Sequence, residues 1–230
     1  MPESPQDQLL GAFEVHSVDG IRAALAAGVD PNAPIRGRTP IVWLLEMYTR
    51  SPRFSDCFAA MLEAGAAFED DLVRLVLLDD ADGLAAALDA NPNAMNTRFT
   101  MNAAFTPLVD GSLLHVAAEF VRADAARVLI ERGADLDARA AVDEHGLNGH
   151  TPLFHTVNSN ANYAQPIMRM LLDAGARVDM HVAGITWGRG YEWETTFFDL
   201  TPNSYAQLGT LRHMHRDERQ ITATVKMLLA

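Results

Sequence analysis

One phrase returns along this chain, and it dictates how the helices before it must stop. Ala27-Gly28-Val29-Asp30, Ala64-Gly65-Ala66-Ala67, Arg132-Gly133-Ala134-Asp135 and Ala174-Gly175-Ala176-Arg177 each follow a helical stretch, with Leu25, Leu62, Ile130 and Leu172 three residues before the glycine. A helix that closes on a left-handed residue needs glycine, which has no Cβ to clash there. Leu84-Ala85-Ala86-Ala87-Leu88-Asp89-Ala90-Asn91 reads as a degenerate fifth copy, with asparagine in the glycine's place. The four glycines are separated by 37, 68 and 42 residues, and dividing the long interval at Asn91 gives 26 and 42. A second phrase lies upstream. Thr39-Pro40, Thr151-Pro152 and Thr201-Pro202 each place a hydroxyl cap before a proline, whose missing N–H costs nothing in a first helical turn. Ser112-Leu113-Leu114-His115 carries the same signal without the proline.

These two phrases in register resemble the ankyrin-repeat family, in its bacterial style. The pattern is followed best from Ser112 to Asp137, as Ser112-Leu113-Leu114-His115-Val116-Ala117-Ala118, then Val128-Leu129-Ile130, then Gly133-Ala134-Asp135; Thr151–Asp179 follows with Phe154 at the histidine position. The resemblance covers almost the whole chain. It implies an all-α fold, a helical solenoid with β-hairpin fingers, built as one domain over residues 1–230 from about six stacked helix pairs with elongated loops. The units fall at about 7–32, 36–68, 70–96, 110–139, 149–182 and 199–230. Such pairs cannot bury their apolar faces alone, so each covers its neighbour. The resemblance also implies a structural hydrogen bond from His115 to the backbone of a neighbouring repeat. In function it implies a non-catalytic scaffold for protein–protein interaction, binding through its fingers and concave face.

Composition narrows the partner. Eighteen Lys and Arg stand against 30 Asp and Glu, a net charge of −12, which repels phosphate backbones and anionic membranes alike. A protein partner with a basic surface is favoured, with no nucleic acid and no membrane. Cys57 is the single cysteine, so no disulfide within the chain and no thiolate zinc site can form; it reads as a small core residue. The first residues lack the basic start and apolar run of a signal peptide, and no segment nears 18 uninterrupted apolar residues, so a cytoplasmic monomer is expected.

Three connections exceed what stacking needs, near 96–111, 138–150 and 180–200, and insertions of this kind gather on one face of a solenoid. The last reads as one long aromatic hairpin turning at Gly188-Arg189-Gly190, with Tyr191, Trp193, Thr195 and Phe197 on one face and Glu192, Glu194 and Thr196 on the other. Two accounts of it stand open. The aromatics fold down over the last repeats, or Trp187, Arg189, Tyr191 and Trp193 project as anchors for a partner. Phe197 and Phe198 read as core in either case. Phe99, Met101 and Phe105 of the first insertion read as packed, while the stretch 138–149 reads as an exposed loop. Trp43, Phe99, Phe105, Glu119 and Asn158 complete the candidate partner-binding set, with Glu46 and Gln207 on the same floor.

A search for chemistry returns no catalytic, cofactor-binding or metal-binding residue, so neither enzyme activity nor a cofactor is expected. There is no glycine-rich phosphate loop, nucleophile elbow or His-Glu-x-x-His. His213, His215 and Asp217 lie close in sequence, but helical geometry would turn His215 away. His150 reads as a loop residue before a helix start. The competing function is a small-molecule or enzymatic pocket between the long insertions and the solenoid, which would need a deep cavity beside Trp187 and Trp193.

Overall fold

The computed structural model describes residues 3–104, 108–188, 192–208 and 217–230. Twelve α-helices stand among them, α1 (Pro5–Glu14), α2 (Val18–Ala26), α3 (Pro40–Glu46), α4 (Phe54–Glu63), α5 (Asp71–Leu78), α6 (Ala81–Ala90), α7 (Leu113–Glu119), α8 (Ala123–Glu131), α9 (Pro152–Val157), α10 (Gln165–Asp173), α11 (Pro202–Gln207) and α12 (Glu218–Leu228). Each odd-numbered helix packs on the even-numbered one that follows it. The odd helices also form a row, α1 on α3, α5 on α7, α7 on α9 and α9 on α11. The even helices form a second row, α2 on α4, α6 on α8, α8 on α10 and α10 on α12. One apolar core runs from Leu9 and Phe13 to Leu228, with Phe54, Phe58 and Phe120 fully buried within it. Cys57 is buried in it, and burial pushes its thiol up to about 11.

The recurring phrase does what its chemistry demands. Gly28, Gly65, Gly133 and Gly175 all take left-handed backbone, with φ between 80° and 97°. Asn91 does not. Its φ of −142° is extended, because the following Pro92 disfavours helical backbone at the residue before it and pushes that residue to the extended region. In that part of the chain the left-handed residue is Asp79, at φ 58°, closing α5. The Thr-Pro starts also differ from expectation. Only Thr201 accepts a capping bond, from the Ser204 N–H, while Thr39 and Thr151 hold the extended cap conformation without one. At those two starts the proline's preset φ begins the helix by itself.

Polar side chains tie one helix pair to the next. Asn32 donates from Nδ2 to the Gly65 carbonyl and accepts from the Ala67 N–H, both at 2.8 Å. Asp137 accepts from the Arg177 N–H at 2.9 Å. Asp79 reaches across to accept from the Ala125 N–H at 2.8 Å, and so caps α8, whose own cap residue Arg122 offers nothing. Burial raises the Asp79 carboxyl above its usual range. An expected result follows for this residue. Asp79→Ala loses the cap and places a Cβ-bearing, non-bonding residue in left-handed backbone, for about 2 kcal/mol in urea unfolding, whereas Asp79→Asn keeps shape and acceptor and costs less than half of that.

Two antiparallel hairpins stand on the array. β1 (Phe99–Met101) pairs with β2 (Leu108–Gly111), and β3 (Val182–Trp187) pairs with β4 (Thr195–Leu200). The stretch between α8 and α9 lies between them and joins both. Ala141 donates to the Val109 carbonyl at 2.8 Å, and Asn148 donates to the Gly184 carbonyl at 2.7 Å. Gly184 permits this close approach, since a Cβ there would sit 2.7 Å from the Phe197 carbonyl oxygen and 3.0 Å from Leu147. The expected exposed loop at 138–149 is thus a bonded middle member of a ribbon, with Ala138, Ala140 and Gly149 buried and Val142 exposed.

Candidate functional site

The odd-numbered row and the ribbon of hairpins together make the surface on which the candidate residues lie. Glu46, Glu119 and Asn158 occupy one register, seven residues after Thr39, Ser112 and Thr151. They close α3, α7 and α9, where a carboxylate opposes the negative end of the helix dipole and calls for a positive partner. Both carboxylates have one. Arg38 pairs with Glu46 and lays its guanidinium 5.2 Å from the centre of the Trp43 ring. Trp43 is half-buried and donates from Nε1 to the Ile35 carbonyl at 2.7 Å, so it is fastened to its own turn. Asn102 of the first hairpin's loop donates to Glu46 at 2.7 Å.

Glu119 is the hub of the floor. Its Oε1 accepts from Arg50 at 3.0 Å and its Oε2 meets His155 Nδ1 at 2.8 Å. Only 18% of its side chain is exposed, and Arg50 and His155 are more buried still. Burial pushes the Glu119 carboxyl up, but Arg50 and His155 together outweigh it and hold the carboxyl below its usual value. Burial in turn lowers Arg50, against the pull of Glu119. Arg50 also donates to the Met47, Thr49 and Leu45 carbonyls and stacks 4.4 Å from the Phe120 ring centre. Glu119 is therefore committed within the chain rather than held out to a partner.

Behind Glu119 lies a histidine cluster. His115 accepts from the Ser112 N–H on Nδ1 and faces the His150 carbonyl with Nε2 at 3.1 Å, the backbone contact that the resemblance implies. His150 is buried, not a surface loop residue, because α7 takes its carbonyl and draws the segment inward. The rings of His150 and His155 lie 4.6 Å apart. Burial lowers His115 to about 3 and holds His150 far below the usual imidazole range, with His155 adding to both. Both ring nitrogens of His150 and Nε2 of His155 are buried without a hydrogen-bond partner among the described residues. Among those residues no group of three or more His, Cys, Asp or Glu is arranged to hold a metal ion.

The aromatic hairpin divides its residues between core and surface. Trp187 is 4% exposed; it packs against Phe197 and donates from Nε1 to the Tyr205 hydroxyl at 2.8 Å. Asn158 is half-buried and bonds the same hydroxyl. Trp187 thus belongs to a small second core with Phe154, Met180, Val182, Ile185 and Leu200, and does not project. Trp193 is 46% exposed and lies in the turn before β4, its ring against Gly188, where a Cβ would come within 2.3 Å. Phe197 faces down on Trp187 while Phe198, expected as core, is 68% exposed. Adjacent strand residues take opposite faces, so only one of the two can be buried on the array. Phe99 is buried and Met101 packs on the main core, as anchors of their hairpin. Phe105, Arg189, Tyr191, His213 and His215 lie outside the described residues, and Asp217 caps α12.

The sequence alone gives no role to Arg50, His155 or Tyr205, although His155 lies close to His145 and His150 along the chain. Each is distant from its partner along the chain, Arg50 from Glu119 by 69 residues and His155 from it by 36, and no local spacing announces such pairs.

No family model matches the chain, and no curated protein matches it. Among solved structures, it is similar to the ankyrin repeat domain of Bcl-3, described as a unique member of the IkappaB protein family. The identity is 17%, the match covers 96% of this chain and 81% of that one, and the TM-score is 0.40. No helix of the described residues is long and apolar enough to cross a membrane.

Proposed function

We propose that this chain is a non-catalytic scaffold for protein–protein interaction, made of six ankyrin-type units whose helix pairs are α1–α2, α3–α4, α5–α6, α7–α8, α9–α10 and α11–α12. The units follow the bounds read from the sequence, with the first beginning at Pro5 where α1 starts, and the working form is a monomer in the cytoplasm that binds a partner with a basic surface. One observation carries this reading. The hairpins and the stretch between them are bonded edge to edge, through Ala141 to Val109 and Asn148 to Gly184, into a fixed ribbon beside the odd-numbered helices. Large apolar side chains stand exposed along it, at Val109, Val142, Trp193 and Phe198. Fixed, continuous surface with exposed aromatics suits a protein partner, since it loses little freedom on binding. A small-molecule pocket at the hairpin has less in its favour, because Trp187, its natural wall, fills its own site against Phe197 and Tyr205.

The test is capture from native cell lysate on immobilised protein, comparing the natural chain with a Val142→Ser, Trp193→Ala double variant, both exposed positions of the ribbon. At least one protein should be retained by the natural chain and fall fivefold or more on the variant, with an unchanged circular dichroism melt. Retention of the same proteins by both would remove this face from the reading. Retention of nothing beyond the blank resin would remove the reading itself.

A further inference from the structure

Resting on the interaction reading above, we infer that the outer edge of β4 is a docking site for an extended peptide segment that carries Lys or Arg beside β-branched or aromatic residues. The geometry begins at Gly184. Its carbonyl accepts from Asn148, on the side of β3 away from β4. In an antiparallel ladder a residue turns its N–H and C=O to the same side, so Gly184 and its cross-strand partner Phe198 form a pair that exchanges no backbone bonds. Thr186 and Thr196, two residues along, form another such pair, and their hydroxyls meet at 2.9 Å as the closer side-chain spacing of these pairs allows. It follows that Thr196 and Phe198 direct their N–H and C=O groups outward. No described strand or loop pairs with that edge, where the bonded ribbon ends among the described residues. Unpaired edge groups of this kind template an added strand.

Two features choose the occupant. Phe198 is exposed beside Leu147, so an apolar side chain on an added strand would find a cross-strand neighbour there. Glu192 and Asp199 stand exposed at the two ends of this edge and the stretch 192–199 holds no cationic side chain, so Lys or Arg on the incoming segment is favoured and an acidic segment is repelled. The edge is also short. Asp199 takes left-handed backbone at φ 58° and bonds His181, which bends the strand away and limits pairing to Thr195–Phe198. Long self-association along this edge is thereby blocked, while a segment of a few residues fits.

A displayed library of random twelve-residue peptides, selected on the full chain, tests this. Peptides should emerge with Lys or Arg alternating with Val, Ile, Thr or aromatic residues. Bound, they should slow amide hydrogen exchange at Thr196 and Phe198 at least tenfold. Phe198→Pro removes an outward N–H and leaves the β3 ladder its own bonds, so it should weaken the peptides tenfold or more, and Phe198→Ala, which keeps the N–H, by less. The exchange measurement on the natural chain stands even if the proline variant does not fold. Peptides that are acidic, or no enriched peptide, would overturn the inference. Peptides that protect the odd-numbered helices and ignore Phe198→Pro would overturn it too, yet leave the interaction reading in place. A dimer of the natural chain that Phe198→Pro converts to monomer would assign the edge to a second copy and overturn the peptide as occupant. The lysate capture judges the broader reading separately, so the two can fail independently.

Discussion

Replacing Glu119 with alanine is expected to destabilise the fold by about 3–5 kcal/mol, among the largest effects of any polar substitution here. The reason is what the change leaves behind. Arg50 would remain almost fully buried with its charge, its hydrogen bond and ion pair to Glu119 Oε1 gone and only the carbonyls of its own loop as partners. His155 would lose its carboxylate in the same step, and its other ring nitrogen has no hydrogen-bond partner among the described residues to offset the loss. The effect should be strongly non-additive. Because a buried charge pair is expensive mainly when broken, the double variant Arg50→Met, Glu119→Leu should lose less than Glu119→Ala alone. Urea unfolding of Arg50→Met, Glu119→Leu and the double variant, read at constant m-value, measures this cycle, with Glu119→Ala alongside. A double variant as unstable as the sum of its single changes would show that the two side chains act separately.

The second large effect is expected on acidification. His16, His115 and His150 are buried, and burial lowers all three, His16 to about 4 and His115 to about 3. Their surroundings work the same way. Arg50, Arg122 and Arg53 face His16, His155 and Arg98 face His115, and His155 and His115 face His150. Below pH 6.5 the unfolded chain takes up protons at these imidazoles while the folded chain does not, so stability is full above that pH and falls as pH drops toward 4. Each histidine contributes up to about 1.4 kcal/mol per pH unit, so the three together give a slope of about 4 kcal/mol per unit. By pH 5 that removes about 6 kcal/mol, which is comparable with the low end of the about 5–15 kcal/mol total of a folded domain. Glu119 adds to the loss only below about pH 4.5, since its lowered carboxyl stabilises the fold when ionised. Urea midpoints from pH 7.5 to 5 would check the slope, and His150→Leu should remove about a third of it. A flat profile would mean the three imidazoles are accessible to protons in the folded chain.

The parts of this fold that could be read from the sequence are those fixed by local backbone needs. Left-handed backbone at Gly28, Gly65, Gly133 and Gly175 requires that residue type, so the helix ends announce themselves. Asn91 departs from the phrase because the following Pro92 favours extended backbone there, and the left-handed residue in this part of the chain is Asp79. The adjacent pair Phe197 and Phe198 could have been read correctly, since a two-residue period forbids both from facing one core. Trp187 could not. Its burial depends on Tyr205 and Phe154, which stand on different helices and give no sign along the chain of where the indole will go. The same holds for the floor of the candidate surface. The register of Glu46, Glu119 and Asn158 was legible, but the partners that turn Glu119 inward arrive from other helix pairs.

The ties from Asn32 to Ala67, from Asp79 to Ala125 and from Asp137 to Arg177 each have their two ends in different helix pairs. A segment cut out or duplicated at the boundary of one pair would leave an acceptor on one side and an amide on the other with no counterpart. Lengthening or shortening such an array without loss therefore requires exchange in registers that carry both halves of a tie. The natural building block of this molecule is accordingly the junction between neighbours rather than the helix pair itself.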